Sequence, residues 1–287
     1  HSIHTDPPCM SLGSRFHYKS PEEIEIIRAN CLLVSATLAE VASRIRPGVT
    51  GLELDTLAET FIRDHGAEPA FKGYPGSLSD FPASLCISFN EVIVHGIPDK
   101  TEIREGTIVS VDCGVKMNGF FGDAAFTFAI GEIDAETLQL LVTTRECLNL
   151  AIGQAVAGNR IGDIGFAVQN HAETVHHYGV IREMVGHGIG RKLHEPPEVP
   201  NYGKRGKGPV LHEGLTIAIE PMINLGTREV LMKKDGWTLV TRDGKPSAHY
   251  EHTIAIRKSE ADVLSDHRII DEAVKNNVNL SEVSIKR

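Results

Sequence analysis

The sequence predicts an α/β chain of the α+β kind, in which an antiparallel sheet is covered by two pairs of helices around a pseudo-two-fold axis. Three observations predict it. An apolar run ending in an acid, Val109-Ser110-Val111-Asp112, returns later as Ile217-Ala218-Ile219-Glu220. A histidine beside glycine precedes each run, His95 in the first case and His187 in the second. A strand-like segment with another acid follows each run, carrying Asp123 or Glu251. Each half thus offers one histidine and two carboxylates in the same order. Two such halves face to face would gather them at one seam.

The elements follow in chain order. Ser20-Pro21-Glu22-Glu23 starts a helix, with Ser as N-cap, Pro at the first turn and Glu23 closing a capping box. Ile24, Ile27, Cys31, Val34, Leu38, Val41 and Ile45 recur at helical spacing and give it one buried stripe. Arg46-Pro47-Gly48 stops it. A second helix is expected from Leu52 to His65, ending at Gly66. The pair repeats in the second half. Asp134 caps a helix running to Val156, Gly158 breaks it, and Asp163 to Tyr178 forms a shorter helix ending at Gly179.

The strands carry the chemistry. Runs from Thr107 to Val115 and from Phe120 to Ile130 flank Asn118-Gly119, a type I′ hairpin signal. A two-residue loop pairs Met117 with Phe120 and so sets Asp123 opposite Gly114. Asp112 and Asp123 then share a face as diagonal neighbours, about 7–8 Å apart between backbones and less between side chains. Two like charges that close demand neutralisation. Glu220 and Glu251 are expected to repeat the arrangement, although the long connection between them leaves their register open.

The composition is that of an ordinary globular chain, with 41% apolar and 23% charged residues among 287. No apolar run approaches the ~20 residues of a membrane helix. Net charge is −9, with 29 basic and 38 acidic residues, which disfavours a nucleic-acid footprint. Lys204, Arg205 and Lys207 read as a solvated basic loop. The five cysteines form no CxxC clip, so reduced thiols and a cytoplasmic setting are expected. The first 17 or so residues do not read as a secretion signal.

Any one of these acids alone reads as an ordinary exposed or paired residue. Four of them in a duplicated frame with histidines favour a metal site, because unpaired carboxylates are expelled from apolar strands. Four negative charges and imidazole match two divalent cations, with Mn, Fe(II), Co or Zn the fitting ions. The glycines on both sides of His187 permit close backbone approach and favour its ligation. His171, His176 and His177 lie on a helix without an acidic frame and read as surface or core residues.

Across residues 19–257 the chain resembles the type I methionine aminopeptidases. The resemblance rests on residues 86–98, on Val-Asp-Cys-Gly at 111–114, and on Gly122-Asp123. In the second half it rests on Gly-His-Gly-Ile-Gly at 186–190, Ile-Glu-Pro-Met at 219–222 and Ser-Ala-His-Tyr-Glu-His-Thr at 247–253. It implies the pita-bread fold and a metal-dependent exopeptidase removing the initiator methionine before a small second residue. By the same resemblance Asp112, Asp123, His187, Glu220 and Glu251 would ligate two divalent metals, with Asp112 and Glu251 bridging. Glu220 would carry the proton of the attacking water, and His95 and His194 would contact substrate. Phe71, Tyr74, Phe81, Cys86 and Trp237 would wall the methionine pocket, against a core-packing reading of equal weight for Phe71 and Phe81. The free α-amine would bind metal, which explains action at a chain end.

The resemblance also orders the domains. Residues 1–18 are expected to be an extension, 19–258 one catalytic domain with halves at 19–131 and 132–258, and 259–287 a tail with a short surface helix near residues 266–275. Ser77-Leu78-Ser79-Asp80 departs from the family pattern, in which the segment before Phe81 is shorter, and is expected to bulge at the pocket mouth. Proline-directed relatives are disfavoured by the short segment before the first helix, and type II enzymes by the short His187-to-Glu220 connection. A non-catalytic binding protein would have lost ligands, yet all five are filled. N-terminal methionine peptides and nascent chains are the expected partners. The chain is expected to be a monomer with no membrane or nucleic-acid partner. Transient ribosome docking through the basic loop or the tail has little support in the sequence.

Overall fold

The structure is a computed structural model that describes residues 16–285. Residues 1–15 of the expected extension, Cys9 among them, lie outside this range. The other four cysteines are free and buried. Among the described residues no helix is long and apolar enough to cross a membrane.

The first helix, α1 (Pro21–Arg44), begins with the complete capping box anticipated from Ser20 and Glu23. Its predicted stripe, from Ile24 to Ile45, is buried. The second, α2 (Gly51–Asp64), has a capping box of its own between Thr50 and Glu53. In the second half α3 (Ala135–Gln154) is capped by Asp134 as expected, though it ends two residues before Val156. The next helix, α4 (Ile161–Gln169), starts earlier than predicted. Arg160 is the N-cap and Asp163 sits inside the first turn, accepting from the Arg160 amide at 2.7 Å. Beyond Gln169 the chain does not continue as α-helix but widens into a π-helical turn, Asn170–Val175.

The hairpin forms in the predicted register. Strand Ile108–Met117 pairs with strand Phe120–Ile130, Met117 opposite Phe120 and Gly114 opposite Asp123. Asn118 and Gly119 both have positive φ, 53° and 77°, as a type I′ turn requires. Strand Leu85–Phe89 adds to the outer side of this hairpin, setting Cys86 opposite Asp112. In the second half, strand Thr216–Ile219 pairs with Gly186–Gly188 on one side and His252–Ala255 on the other. All of these pairings are antiparallel.

The two sheets meet where Ala125 pairs with Glu251. Helix α1 lies over the first hairpin, and α3 lies over second-half strands and packs on α4. The apolar core fills the space between helices and sheets. The segment after residue 258 joins this body. Helix α5 (His267–Asn276) buries Ile270 and Val274 and packs on α1. Leu280 and Ser281 then pair with Ile130 and Ala129 at the hairpin edge.

Candidate metal centre

Strand register builds the centre. Asp112 and Asp123 project from the first hairpin onto one face, because side chains two positions apart along a pleated strand point the same way. Glu220 directly follows strand Thr216–Ile219, and Glu251 directly precedes strand His252–Ala255. Extending the His252–Ile219 pairing by one step sets these two acids directly opposite each other. The second half therefore does not copy the diagonal of the first, a difference that only the register reveals.

His187 completes the group from strand Gly186–Gly188, which lies beside strand Thr216–Ile219 in the second sheet. Its Nε2 lies 3.4 Å from Glu220 Oε1 and 3.6 Å from Asp123 Oδ2. Its Nδ1 lies 2.9 Å from the Gly188 carbonyl. A donating Nδ1–H there fixes the tautomer and leaves the Nε2 lone pair facing the acids.

The electrostatics show why something must neutralise this cluster. Burial raises the Asp112 carboxyl to about 7 and that of Glu220 to about 8. Burial, with the neighbouring Asp112 charge, pushes Asp123 well above the usual carboxylate range. Burial and then Asp123 do the same to Glu251. Burial also holds His187 down at about 3, in the neutral form that ligates metal.

Hydrogen bonding supplies the test of fit. Asp112 Oδ1, Asp123 Oδ1, His249 Nε2 and Glu251 Oε1 are buried and have no hydrogen-bond partner among the described residues. Such orphans are costly in a native fold, and four in one place call for a ligand. Asp123, His187 and Glu251 offer donor atoms within 4.8 Å of one another, as do Asp112, His249 and Glu251. Two overlapping sets that share Glu251 fit a pair of cations bound by oxygen and nitrogen.

His249 was not singled out from the sequence. It lies two residues before Glu251, its side chain is 1% exposed, and its Nε2 is 3.4 Å from Glu220 Oε2. Thr127 clamps it by accepting from the His249 amide at 3.0 Å and donating to its carbonyl at 2.8 Å. The only sequence signal was its place inside the 247–253 motif.

A cavity of about 990 Å³ opens onto the cluster, and Asp112, Asp123, His187 and Glu220 line it. Glu251 lies behind them, 1% exposed. The predicted wall residues Phe71, Tyr74, Phe81, Cys86 and Trp237 also line it, as do His95 and His194. Phe71, Phe81 and Cys86 pack in one apolar group with Ile189 and Leu193. Phe71 fits because Gly114 has no side chain; a Cβ there would meet the ring at 2.7 Å. Leu193, next to His194, and Met222, two residues after Glu220, line the cavity as well and were missed.

The two further histidines, His95 and His194, both line the cavity. His194 Nδ1 and the Tyr74 hydroxyl are 2.6 Å apart. The His194 ring stands edge-on to His187, with centroids 4.3 Å apart. Next to His194 in the chain, Glu195 forms a buried ion pair with Lys19 at 2.6 Å. His95 adopts a left-handed backbone, φ 58°, uncommon for a side chain of that size. Burial holds its imidazole at about 4. Trp237 lies edge-on to Phe81, and its Nε1 donates to the Ser79 carbonyl at 3.0 Å. The Ser77–Asp80 segment thus reaches the cavity rim, where Gly76 admits the indole.

Comparison with known proteins agrees with this geometry. The profile of metallopeptidase family M24 matches residues 25–258. The methionine aminopeptidase of Clostridium acetobutylicum is 48% identical over 248 residues, covering 86% of this chain and 97% of its own length. The crystal structure of methionine aminopeptidase from Thermotoga maritima superposes with a TM-score of 0.84 at 43% identity, covering 88% of this chain and all of that one. The Xaa-Pro dipeptidase of Bacillus anthracis shares the fold alone, with 21% identity, a TM-score of 0.71 and coverage of 87% of this chain and 62% of its own. The curled antiparallel sheets under paired helices are the pita-bread architecture anticipated from the sequence. On these grounds the chain belongs to metallopeptidase family M24, among its methionine aminopeptidases.

Proposed function

We propose that this chain is a type I methionine aminopeptidase that hydrolyses the first peptide bond of chains beginning with methionine and a small second residue. The observation that carries the reading is the cluster of partnerless buried carboxylates opening onto an apolar cavity. Asp112, Asp123, His187, Glu220 and Glu251 would hold two divalent cations. When bound, such cations lower the pKa of water and polarise the scissile carbonyl.

The chain's own residues do the rest. Phe71, Phe81, Cys86 and Trp237 receive the methionine side chain, whose flexible thioether packs well on aromatic edges. The carboxylates place the substrate's free amine at the closed end, which an internal peptide cannot reach. Glu220 takes the proton released as water adds to the carbonyl carbon. It then returns that proton to the leaving amine as the C–N bond breaks. Tyr74 O–H donates to His194 Nδ1, so His194 presents Nε2–H to the developing oxyanion. His95 faces the second-residue amide.

Residues 19–258 form the catalytic domain and 259–287 its tail, of which α5 and the strand at Leu280–Ser281 pack on that domain. The working state is a cytoplasmic monomer acting on nascent chains. Lys204 and Lys207 lie at the cavity rim, a placement that suits transient docking beside the ribosomal exit; co-sedimentation with ribosomes tests it.

The deciding experiment strips the protein of metal and restores Mn, Fe(II), Co or Zn with Met-Ala-Ser, Leu-Ala-Ser, Ala-Pro-Ala and Met-Leu-Ser peptides. Metal-dependent cleavage confined to Met-Ala-Ser, and abolished in Glu220→Gln, is the expected result. Preference for Ala-Pro-Ala would move the chain to the proline-directed branch. Silence with every metal would leave a binding protein.

A further inference from the structure

The second half holds another group of metal-ligating side chains that the reaction does not use. The sequence presented His171, His176 and His177 as helical residues without an acidic frame. The structure supplies the acid from α3. Glu146 Oε2 lies 2.8 Å from His171 Nε2. Glu146, His171 and His176 offer three donor atoms within 4.8 Å of one another. None of the three lines the catalytic cavity.

The π-helical turn makes this grouping. Positions five apart in an α-helix are separated by ~140° around the axis and cannot serve one ligand. Here the His176 amide donates to the His171 carbonyl at 3.3 Å, an i→i+5 bond that brings the two side chains to one face. Their rings stand edge to face with centroids 4.8 Å apart. The turn is braced from outside the group, since Gln169 and Arg182 both donate to Glu173, at 2.9 and 2.8 Å. Tyr178 stacks on His176 at 5.7 Å and holds its ring in place.

A simple ion pair accounts for Glu146 and His171 but not for His176. Among the described residues no group hydrogen-bonds the His176 ring nitrogens. Burial and the nearby His171 lower its pKa, which favours the neutral ligand form. Two imidazoles and one carboxylate form a donor set that suits zinc and leaves a fourth position for water. A tetrahedral ion with bonds of ~2.0–2.1 Å spaces its donors about 3.4 Å apart. The side chains of His171 and Glu146 are 20% and 29% exposed, so binding would need only rotation of partly exposed groups.

We propose that Glu146, His171 and His176 form a zinc site, separate from the catalytic cluster, that clips α3 to the π-helical turn. Its occupant is a single zinc ion, and its effect is to stiffen the second half rather than to react.

Equilibrium dialysis of the full chain against zinc, followed by metal analysis, tests the proposal. Wild type should hold one zinc equivalent more than His176→Ala at the same free zinc. Glu146→Gln, which keeps a hydrogen bond to His171 but loses the charge, should weaken that equivalent at least tenfold. Zinc should also raise the melting temperature of wild type more than that of either variant, while peptide hydrolysis by the three proteins stays equal. Equal stoichiometry and equal zinc-induced stabilisation in wild type and both variants would overturn it. Because the comparison is between variants of a remote group, it stands or falls independently of the catalytic assignment.

Discussion

Ala125 pairs with Glu251 across the seam between the two sheets, and the same Ala125 pairs with Asp112 within the first hairpin. The three residues therefore form one rung, with both acids on the face that carries the alanine methyl. Neighbouring strands are about 4.8 Å apart, so the two acid backbones stand about 10 Å from each other over that methyl. The small side chain keeps the interval open. Ala125→Leu is expected to cost about 1–3 kcal/mol from overpacking and to weaken metal binding at least tenfold. Thermal unfolding with and without Mn, together with calorimetric titration, measures both. Unchanged affinity would show that the interval does not hold the ions.

The Tyr74 hydroxyl engages His194 Nδ1, so the proposed role of Nε2 rests on that contact. Tyr74→Phe removes the 2.6 Å hydrogen bond and lets the imidazole choose either tautomer. A net loss of about 0.5–1.5 kcal/mol corresponds to a roughly 2- to 12-fold fall in kcat, with KM little changed. An effect confined to KM would place Tyr74 in binding instead.

The Ser77–Asp80 segment holds Trp237 by one backbone acceptor. Gly76→Val would drive a side chain into the indole, since a Cβ there meets Trp237 at 2.3 Å. The expected result is a raised KM for methionine peptides with metal content intact, and quenching or shift of the fluorescence of this single tryptophan. Normal KM together with an unshifted emission would disconnect the segment from the pocket.

The raised carboxyl values have a consequence for pH. In the metal-free chain Asp112 titrates at about 7 and Glu220 at about 8, both above their unfolded values near 4. Their contribution to stability is therefore full below about pH 4 and is lost as pH rises through 7 and 8. Cations need the same groups ionised, so binding displaces protons and tightens about tenfold per pH unit for each proton displaced. Mn should thus raise the melting temperature more at pH 8 than at pH 6, and the binding heat at pH 7 should vary with the buffer's ionisation enthalpy. A thermal shift that ignores pH would contradict the buried, protonated cluster.

The sequence by itself determined whatever depends on neighbours in the chain. Ser20 and Glu23 specified the start of α1 because a capping box spans one turn. Asn118-Gly119 specified the register of Asp112 against Asp123 because a two-residue loop admits one pairing. The cluster of acids around His187 was legible because glycine-flanked histidines and acids closing apolar strands are rare without a partner. Tertiary structure decided what depends on strands and helices far apart in the chain. The direct opposition of Glu220 and Glu251 follows from a pairing that a long connection leaves free. The approach of His249 to Glu220 is likewise set by sheet packing. Glu146 meets His171 and His176 because α3 packs beside a turn whose i→i+5 bond no 3.6-residue periodicity foretells.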